Sequence, residues 1–359
     1  QGFIRQESQG TSCQGCRYSF IMEKEICVKR GVLMKFMEVS SAGGTIRMSK
    51  IVKGADYFGT TISEDTAFAL LDRYFELGGN TIDTARIYGQ ADPADPDGPT
   101  YSEGIVGRWL ASRGMRKDVV LVTKGCHPDR SCVTKSRICK QVLDQELETS
   151  FSELKVDSVD IYFLHRDNPD MPVGEIMDML DEHVRAGKIR ALGASNWTVQ
   201  RIDQANQWAL AHGKTPFTVS QIQWGLAATT PAAWGDPTLV AMNDSEYAGY
   251  VKNKIPVMAF ASQGGGYYSK KLMGLPLKDK ILRRYESSKN QARLPIVKRI
   301  AEENSCTPAA VCMAFLTSNP LQSAAIVGCS TVAQLEDSMS LCDLTLTESQ
   351  LEALQNPAV

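Results

Sequence analysis

Four residues have the types and spacing to do chemistry together. The stretch "NTIDTARIYG" (80–89) starts as a strand should, then places a carboxylate, Asp83, and a phenol, Tyr88, just past the apolar run. Lys124 closes a second β-branched run, "VVLVTK", and His165 closes a third, "VDIYFLH". Singly, each has an ordinary role: a turn or cap for the acid, packing for the tyrosine, a structural hydrogen bond for the histidine. Together they suggest one device. A free phenol has a pKa of about 10, too high for efficient proton donation at neutral pH. A neighbouring ammonium favours the phenolate and should lower that value. Lys124 can supply the ammonium, Asp83 can hold it charged and aimed, and His165 can donate a hydrogen bond to a substrate oxygen. A poised proton donor beside an oxygen-binding pocket suits reduction of a carbonyl. No side chain delivers hydride, so a reduced nicotinamide is implied.

These residues must be carried to one place by elements that converge. From about residue 50, short β-branched runs alternate with longer amphipathic stretches. The predicted strands are IVKGA (51–55), NTID (80–83), VVLVTK (119–124), VDIYFLH (159–165), IRALGAS (189–195), FTVSQ (217–221), PVMAFA (256–261) and SAAIVG (323–328). Several of the helical patterns between them close on a glycine: Gly78, Gly114, Gly187 and Gly213. Such alternation, with no second compositional block, predicts an α/β fold of the (β/α)8 TIM-barrel type. Side chains at the C-terminal strand ends then share one mouth. A doubly wound sheet is the alternative, but it ordinarily places a Gly-rich turn after its first strand. Here "DYFGTTIS" has one glycine. MEVSSAGGTIRM (37–48) predicts an N-terminal hairpin plugging the barrel bottom, and LTESQLEALQ (346–355) a capped C-terminal tail helix. Substrate specificity is expected in loops 91–100, 126–133, 227–236 and 263–291.

Composition narrows the partners. The 359 residues suit one large barrel or two ordinary domains. A net charge of −2 gives no support for nucleic-acid or anionic-membrane binding. No apolar run approaches the roughly 20 residues of a spanning helix. A small molecule is the expected partner, and the totals do not separate monomer from homo-oligomer. The ten cysteines are scattered, which favours reduced thiols and a cytoplasmic location. Cys13-x-x-Cys16 has no second pair, and Cys126, His127, Cys132 and Cys139 fit no common zinc spacing, so no metal is assigned. Residues 1–35 are polar and begin at Gln1 rather than Met; they read as a leader or added segment, with natural starts at Met22 or Met34. One barrel domain is expected over 36–359.

The motifs "TIDTARIYG", "LVTKG", "IYFLHRDNP", "IRALGASNW" and "AAIVGCSTVAQLEDS" resemble, in order and spacing, those of the aldo-keto reductase family. The resemblance runs from about residue 36 to the C-terminus and is nearest a bacterial branch with "HRD-x-P" and "SNW". It places the family's catalytic tetrad on Asp83, Tyr88, Lys124 and His165. It implies an NADP-type cofactor and hydride transfer to an aldehyde or ketone, sugars included. Ser195 and Asn196 match the pair that binds the carboxamide, with Gln221 as third partner. Phe260 occupies the place of a tyrosine that stacks on the nicotinamide, a task that needs only the ring. Ala261, Ser262 and Gln263 replace the usual "SPL", and the glycines around Gly265 would let backbone approach the pyrophosphate. The basic pair expected at the 2′-phosphate is replaced by Gly328 and Gln334. Cys329, Ser330 and Thr331 still offer a helix N-terminus to an anion, Gln334 and Ser338 could contact the adenosine, and Lys270 or Lys271 could restore the missing charge. NADPH is therefore expected, with NADH as the alternative. Cys126 and His127 are expected beside Lys124, and Trp197, Trp224 and Trp234 as aromatic walls at the mouth. Arg166 and Asp167 should bind polar substrate groups or each other. Other readings are a cofactor-sensing subunit with little turnover, or a sugar dehydrogenase or epimerase with retained cofactor. Removal of residues 1–33 should leave carbonyl reduction largely intact; loss of soluble protein on that removal would make the segment part of the fold.

Overall fold

The computed structural model describes residues 33–90, 100–129 and 131–358. Two antiparallel strands come first, β1 (Phe36–Ser41) and β2 (Gly44–Ser49), with Met37 opposite Met48 and Val39 opposite Ile46. Eight more follow: β3 (Ile51–Gly54), β4 (Thr81–Asp83), β5 (Val120–Gly125), β6 (Val159–Leu164), β7 (Ile189–Ser195), β8 (Phe217–Gln223), β9 (Val257–Phe260) and β10 (Ser323–Val327). They form a closed barrel in the order β10-β3-β4-β5-β6-β7-β8-β9. Parallel pairing of β10 with β3, Ala325 beside Ile51 and Val327 beside Lys53, makes the closure that a doubly wound sheet lacks. All eight predicted strands are barrel strands, most with ends shifted by a residue or two.

Strand side chains alternate between two cores, as a period of two requires. Val52, Val120, Val122, Ile161, Phe163, Val219, Met258 and Ala324 point inward and meet Met37, Val39, Ile46 and Met48 of the hairpin. The hairpin therefore fills the N-terminal end with apolar side chains, as expected. Ile51, Leu121, Tyr162, Leu164 and Leu192 face the surrounding helices.

Most helix starts carry the caps their sequences offer. Ser63, Thr198, Asn243 and Thr307 each accept a hydrogen bond from the N3 backbone of their helices, Glu64–Glu76, Val199–Ala211, Asp244–Asn253 and Pro308–Thr317. The helix between β5 and β6 runs Lys140–Leu154. The segment 263–291, read from sequence as one long connection, contains short helices Tyr267–Leu272 and Asp279–Tyr285 and the start of a long one, Ser288–Glu303. Pro295 inside that long helix hid it, because proline removes a helical hydrogen bond and disfavours the preceding turn. The Ser287 cap and burial of Val297, Ile300 and Ala301 outweigh that cost. The tail helix Glu348–Gln355 has the full Thr347/Gln350 capping box. Arg293 fixes it in place, donating to Leu354 O at 2.6 Å, Gln355 O at 3.3 Å and Leu226 O at 2.5 Å. Most of the loop 91–100 and the Cys13-x-x-Cys16 pair lie outside the described residues. Among the described residues no helix is long and apolar enough to cross a membrane.

Gly107, in the helix Ser102–Arg113, lies where that helix packs closely on the helix Lys140–Leu154. A Cβ there would collide with the Glu153 carbonyl oxygen and lie 2.8 Å from Leu154 Cα. An open helix position would gain about 1 kcal/mol from Gly→Ala. Here the obstruction is backbone, and overpacking of this kind costs about 1–3 kcal/mol. Gly107→Ala should therefore lower the denaturant midpoint; an unchanged or raised midpoint would show that the two helices separate freely.

Candidate active site

Three neighbouring strand ends carry the four residues singled out first. Asp83 ends β4 in register with Val122, and Lys124 pairs with Phe163 one residue before β5 ends. Lys124 is fully buried. Its Nζ donates to Asp83 Oδ2 at 2.8 Å, to the Thr84 carbonyl at 2.8 Å and to Tyr88 Oη at 3.2 Å. Those three bonds match its three donors. Gln221 Nε2 donates to Asp83 Oδ1 at 2.8 Å, so both carboxylate oxygens are engaged. The His165 ring meets the Tyr88 ring edge-on, centroids 5.6 Å apart. The turn that delivers Tyr88 is pinned by Thr84 N to Val122 O and Arg86 N to Lys124 O, each 2.9 Å. Gly89 ends it with φ 69°, at a place where a Cβ would lie 2.5 Å from Phe58 O. Only glycine fits there without displacing backbone.

The electrostatics depart from expectation at one point. Burial pulls the Lys124 ammonium below its ordinary value, and Asp83 opposes that shift. Burial pushes the Tyr88 phenol well above its ordinary value; Asp83 and Asp56 add to the rise, and Arg166 opposes it. The expected lowering by Lys124 does not set the direction; desolvation and the two carboxylates do. The phenol is held firmly protonated, in reach of an ammonium that can stabilise its anion once a proton has left.

The remaining residues fall into two groups. Ser195 and Asn196 lie at the end of β7, both buried. Asn196 Nδ2 donates to Ser195 Oγ at 3.1 Å and to His165 O at 3.3 Å, which joins the pair to the tetrad. Gln221 already donates one amide hydrogen to Asp83, so its other hydrogen and its oxygen remain for a carboxamide. Phe260 is half-buried at the end of β9, with the Trp234 ring edge-on at 6.0 Å. Its register partner Gln223 has a buried Nε2 without a hydrogen-bond partner among the described residues. Such an orphan donor suits a ligand carbonyl. A nicotinamide therefore fits this half of the mouth.

A second group gathers around the helix Val332–Met339. Gln263 Nε2 donates to Ser338 Oγ at 2.8 Å, Ser330 N to Gln334 Oε1 at 2.9 Å, and Thr331 caps the helix. Gly328, Ser330, Thr331 and Gln334 are exposed. Gly264, Gly265 and Gly266 all have positive φ, 56°, 63° and 80°, which explains three glycines in a row. Lys270 lies along Gly266 and has no ion pair among the described residues, whereas Lys271 is held by Glu286 at 3.0 Å.

Several expectations need correction. Trp197 is fully buried and donates to Arg166 O, and Trp224 packs on Tyr247 and Phe315; both belong to the helix-side core rather than the mouth. Arg166 pairs with Asp236 at 3.1 Å and Asp167 with Arg201 at 3.3 Å, so they do not pair with each other. Cys126 is buried in the same outer core, while the His127 ring lies 4.7 Å from that of His165. Cys132 and Cys139 are exposed. Sequence reasoning missed Asp56 and Gln223. It named Cys126, Asn196 and Ala261 but not their left-handed backbone, which each adopts just past a strand end. Non-glycine residues with positive φ cluster where function constrains the backbone.

A closed eight-stranded barrel with this constellation at its C-terminal mouth is the architecture of a nicotinamide-dependent oxidoreductase. The chain belongs to the aldo/keto reductase family, whose pattern matches residues 50–357, and it is an oxidoreductase. Similar proteins include the norsolorinic acid reductase stcV of Emericella nidulans, 26% identical over 90% of this chain and 82% of its own. AAD14 of Saccharomyces cerevisiae, named provisionally as an aryl-alcohol dehydrogenase, is 27% identical over 89% of this chain and 86% of its own. YrpG of Bacillus subtilis, named as an uncharacterized oxidoreductase, is 26% identical over 89% and 95%.

Asp83→Asn should expose the cost of the buried ammonium. Breaking such a pair typically costs about 3–5 kcal/mol at neutral pH. Without Asp83, the folded-state pKa of Lys124 falls further below its unfolded value, 10.5. Between those two values the unfolded chain binds more protons, so stability rises with pH. The deficit against wild type, measured by denaturant unfolding, should be larger at pH 7 than at pH 9.5. A deficit that grows with pH would mean Lys124 is not the group left unpaired.

Proposed function

We propose that this oxidoreductase uses NADPH to reduce aldehydes or ketones, with Tyr88 as proton donor. The observation that carries the reading is the single chain of contacts from Gln221 through Asp83 and Lys124 to Tyr88 Oη. When bound, the reduced nicotinamide supplies hydride to the carbonyl carbon. The Tyr88 proton passes to the carbonyl oxygen, which becomes more basic than a phenolate as it accepts charge. Lys124 stabilises the phenolate left behind, and Asp83 keeps Lys124 charged. His165 orients the carbonyl oxygen; Ser195, Asn196 and Gln221 would hold the carboxamide of a bound nicotinamide, and Phe260 would offer it a ring. Ala261, Gln263, Gly265, Lys270, Gly328, Ser330, Thr331, Gln334 and Ser338 line the path of the remainder.

Aromatic carbonyls are the substrate class that Phe260, Trp234 and the half-exposed Tyr57 support, and the name of the yeast relative agrees. The bacterial-type relation read from the motifs stays part of this proposal; one of the three relatives is from Bacillus and two are fungal, at similar identity. We assign one domain over 36–359 and, from buried free thiols such as Cys126, Cys312 and Cys329, a cytoplasmic location. NADPH is preferred because Lys270 and the Thr331-capped helix offer positive potential to a phosphate. Fluorescence titration should show NADPH binding somewhat tighter than NADH; the reverse order would mean Lys270 does not reach the phosphate.

Tyr88→Phe removes the proton donor and keeps the ring. Because general acid catalysis typically contributes about 10²–10⁴-fold, steady-state NADPH oxidation with an aromatic aldehyde should fall by that factor. NADPH affinity should hold. Near-normal turnover would transfer the donor role elsewhere, and tight binding with no turnover even in wild type would favour a cofactor-sensing subunit.

A further inference from the structure

A carboxylate that the tetrad does not use faces the same mouth. Asp56 lies two residues past Gly54, which pairs in register with Asp83. Its position is rigid. Ala55 N donates to Asp83 O at 2.9 Å, and Ala55 O accepts from Ser102 Oγ at 2.7 Å. The loop carrying Asp56 packs on the turn carrying Tyr88, where Phe58 O approaches Gly89. On the other side, Asp56 Oδ1 stands over Gly328, 3.8 Å from where a Cβ would be. The absence of a side chain at Gly328 leaves that side open.

The carboxylate lacks protein partners. Among the described residues, the one hydrogen bond it receives comes from its own backbone N–H, and it forms no ion pair. Lys53, fully buried beneath it, donates to Gly54 O at 2.6 Å. Lys124 is committed to Asp83, Thr84 and Tyr88. Burial pushes the Asp56 carboxyl up to about 6; Asp83 adds to the rise, while Lys53 and Lys124 oppose it. A half-buried acceptor with unused lone pairs gains from any ligand that donates to it. Two ammonium groups already face this acid, which disfavours a cationic ligand and leaves a neutral donor.

We propose that Asp56 selects substrates with a hydroxyl on a carbon next to the reacting carbonyl, accepting its hydrogen bond while the carbonyl oxygen lies between Tyr88 and His165. The assignment rests on the reductase reading above and names the substrate feature that the same site prefers.

The test is a ratio of kcat/KM values for paired substrates, lactaldehyde against propanal and 2-hydroxyacetophenone against acetophenone. Asp56 also acts on the Tyr88 phenol, so each rate will move when it is replaced, and the ratio isolates hydroxyl recognition. A hydrogen bond to a charged group is worth a factor of about 10–100, so Asp56→Ala should reduce the hydroxylated-to-plain ratio by that much. Asp56→Asn, which keeps the shape and one neutral acceptor, should restore part of it and guards against misfolding of the alanine variant. An unchanged ratio in both variants overturns the assignment. So does an unchanged ratio with NADPH affinity weakened in step, which would place the carboxylate on the cofactor's ribose. Wild-type protein that turns over neither member of either pair would defeat the reductase reading itself, whereas turnover of both with no change in ratio defeats only the role given to Asp56.

Discussion

The buried ion pair between Lys124 and Asp83 is the constraint on which the mouth of the barrel depends. An ammonium taken wholly out of water is costly unless its donors are matched and an opposite charge lies close. Lys124 meets both conditions, and each partner it uses comes from the segment that leads to Tyr88. The strand β4, the turn after it and the phenol are thus fixed relative to β5 by one side chain. Gln221 extends the restraint across the barrel to β8. Any shift that loosens the pair would also move the phenol.

The two ends of the barrel are treated oppositely. The hairpin closes the bottom with apolar side chains, and most inward strand residues above it are apolar until Asp83 and Lys124. Polarity therefore begins where the strands end. Left-handed residues, Cys126, Asn196 and Ala261, follow β5, β7 and β9 and turn the chain at the mouth. A buried guanidinium, Arg293, ties the tail helix to the loop after β8.

The sequence made the barrel and the four central residues legible for a simple reason. Period-two runs end abruptly at Asp83, Lys124 and His165, and a strand end is a place, not merely a residue type. Other features depended on distances that pattern does not encode. Trp197 and Trp224 follow strands closely, yet they fold back into the outer core, because an indole recovers more by burial there than at a wet mouth. The long helix around Pro295 was invisible because its cap and its buried face outweigh a proline that local propensity penalises heavily. Asp56 sits in a stretch, "DYFGTTIS", that reads as an ordinary polar turn; its importance comes from the closure of β10 against β3, which brings Gly328 beneath it. The direction of the Tyr88 shift needed the burial of the phenol and the approach of two carboxylates, neither of which follows from spacing.

The central claim is that Tyr88 is a half-buried, desolvated phenol kept protonated beside a charged Lys124. Carbon-13 NMR of protein labelled at tyrosine Cζ, followed from pH 6 to 11 with the Tyr88 signal identified by its absence in Tyr88→Phe, measures this directly. Desolvation and the carboxylates of Asp83 and Asp56 raise the phenol above its ordinary value of 10.0. The Tyr88 signal should therefore stay at its protonated position through pH 10. A Tyr88 signal that moves to the phenolate position below pH 10 would contradict that placement and show the ammonium to be the dominant influence.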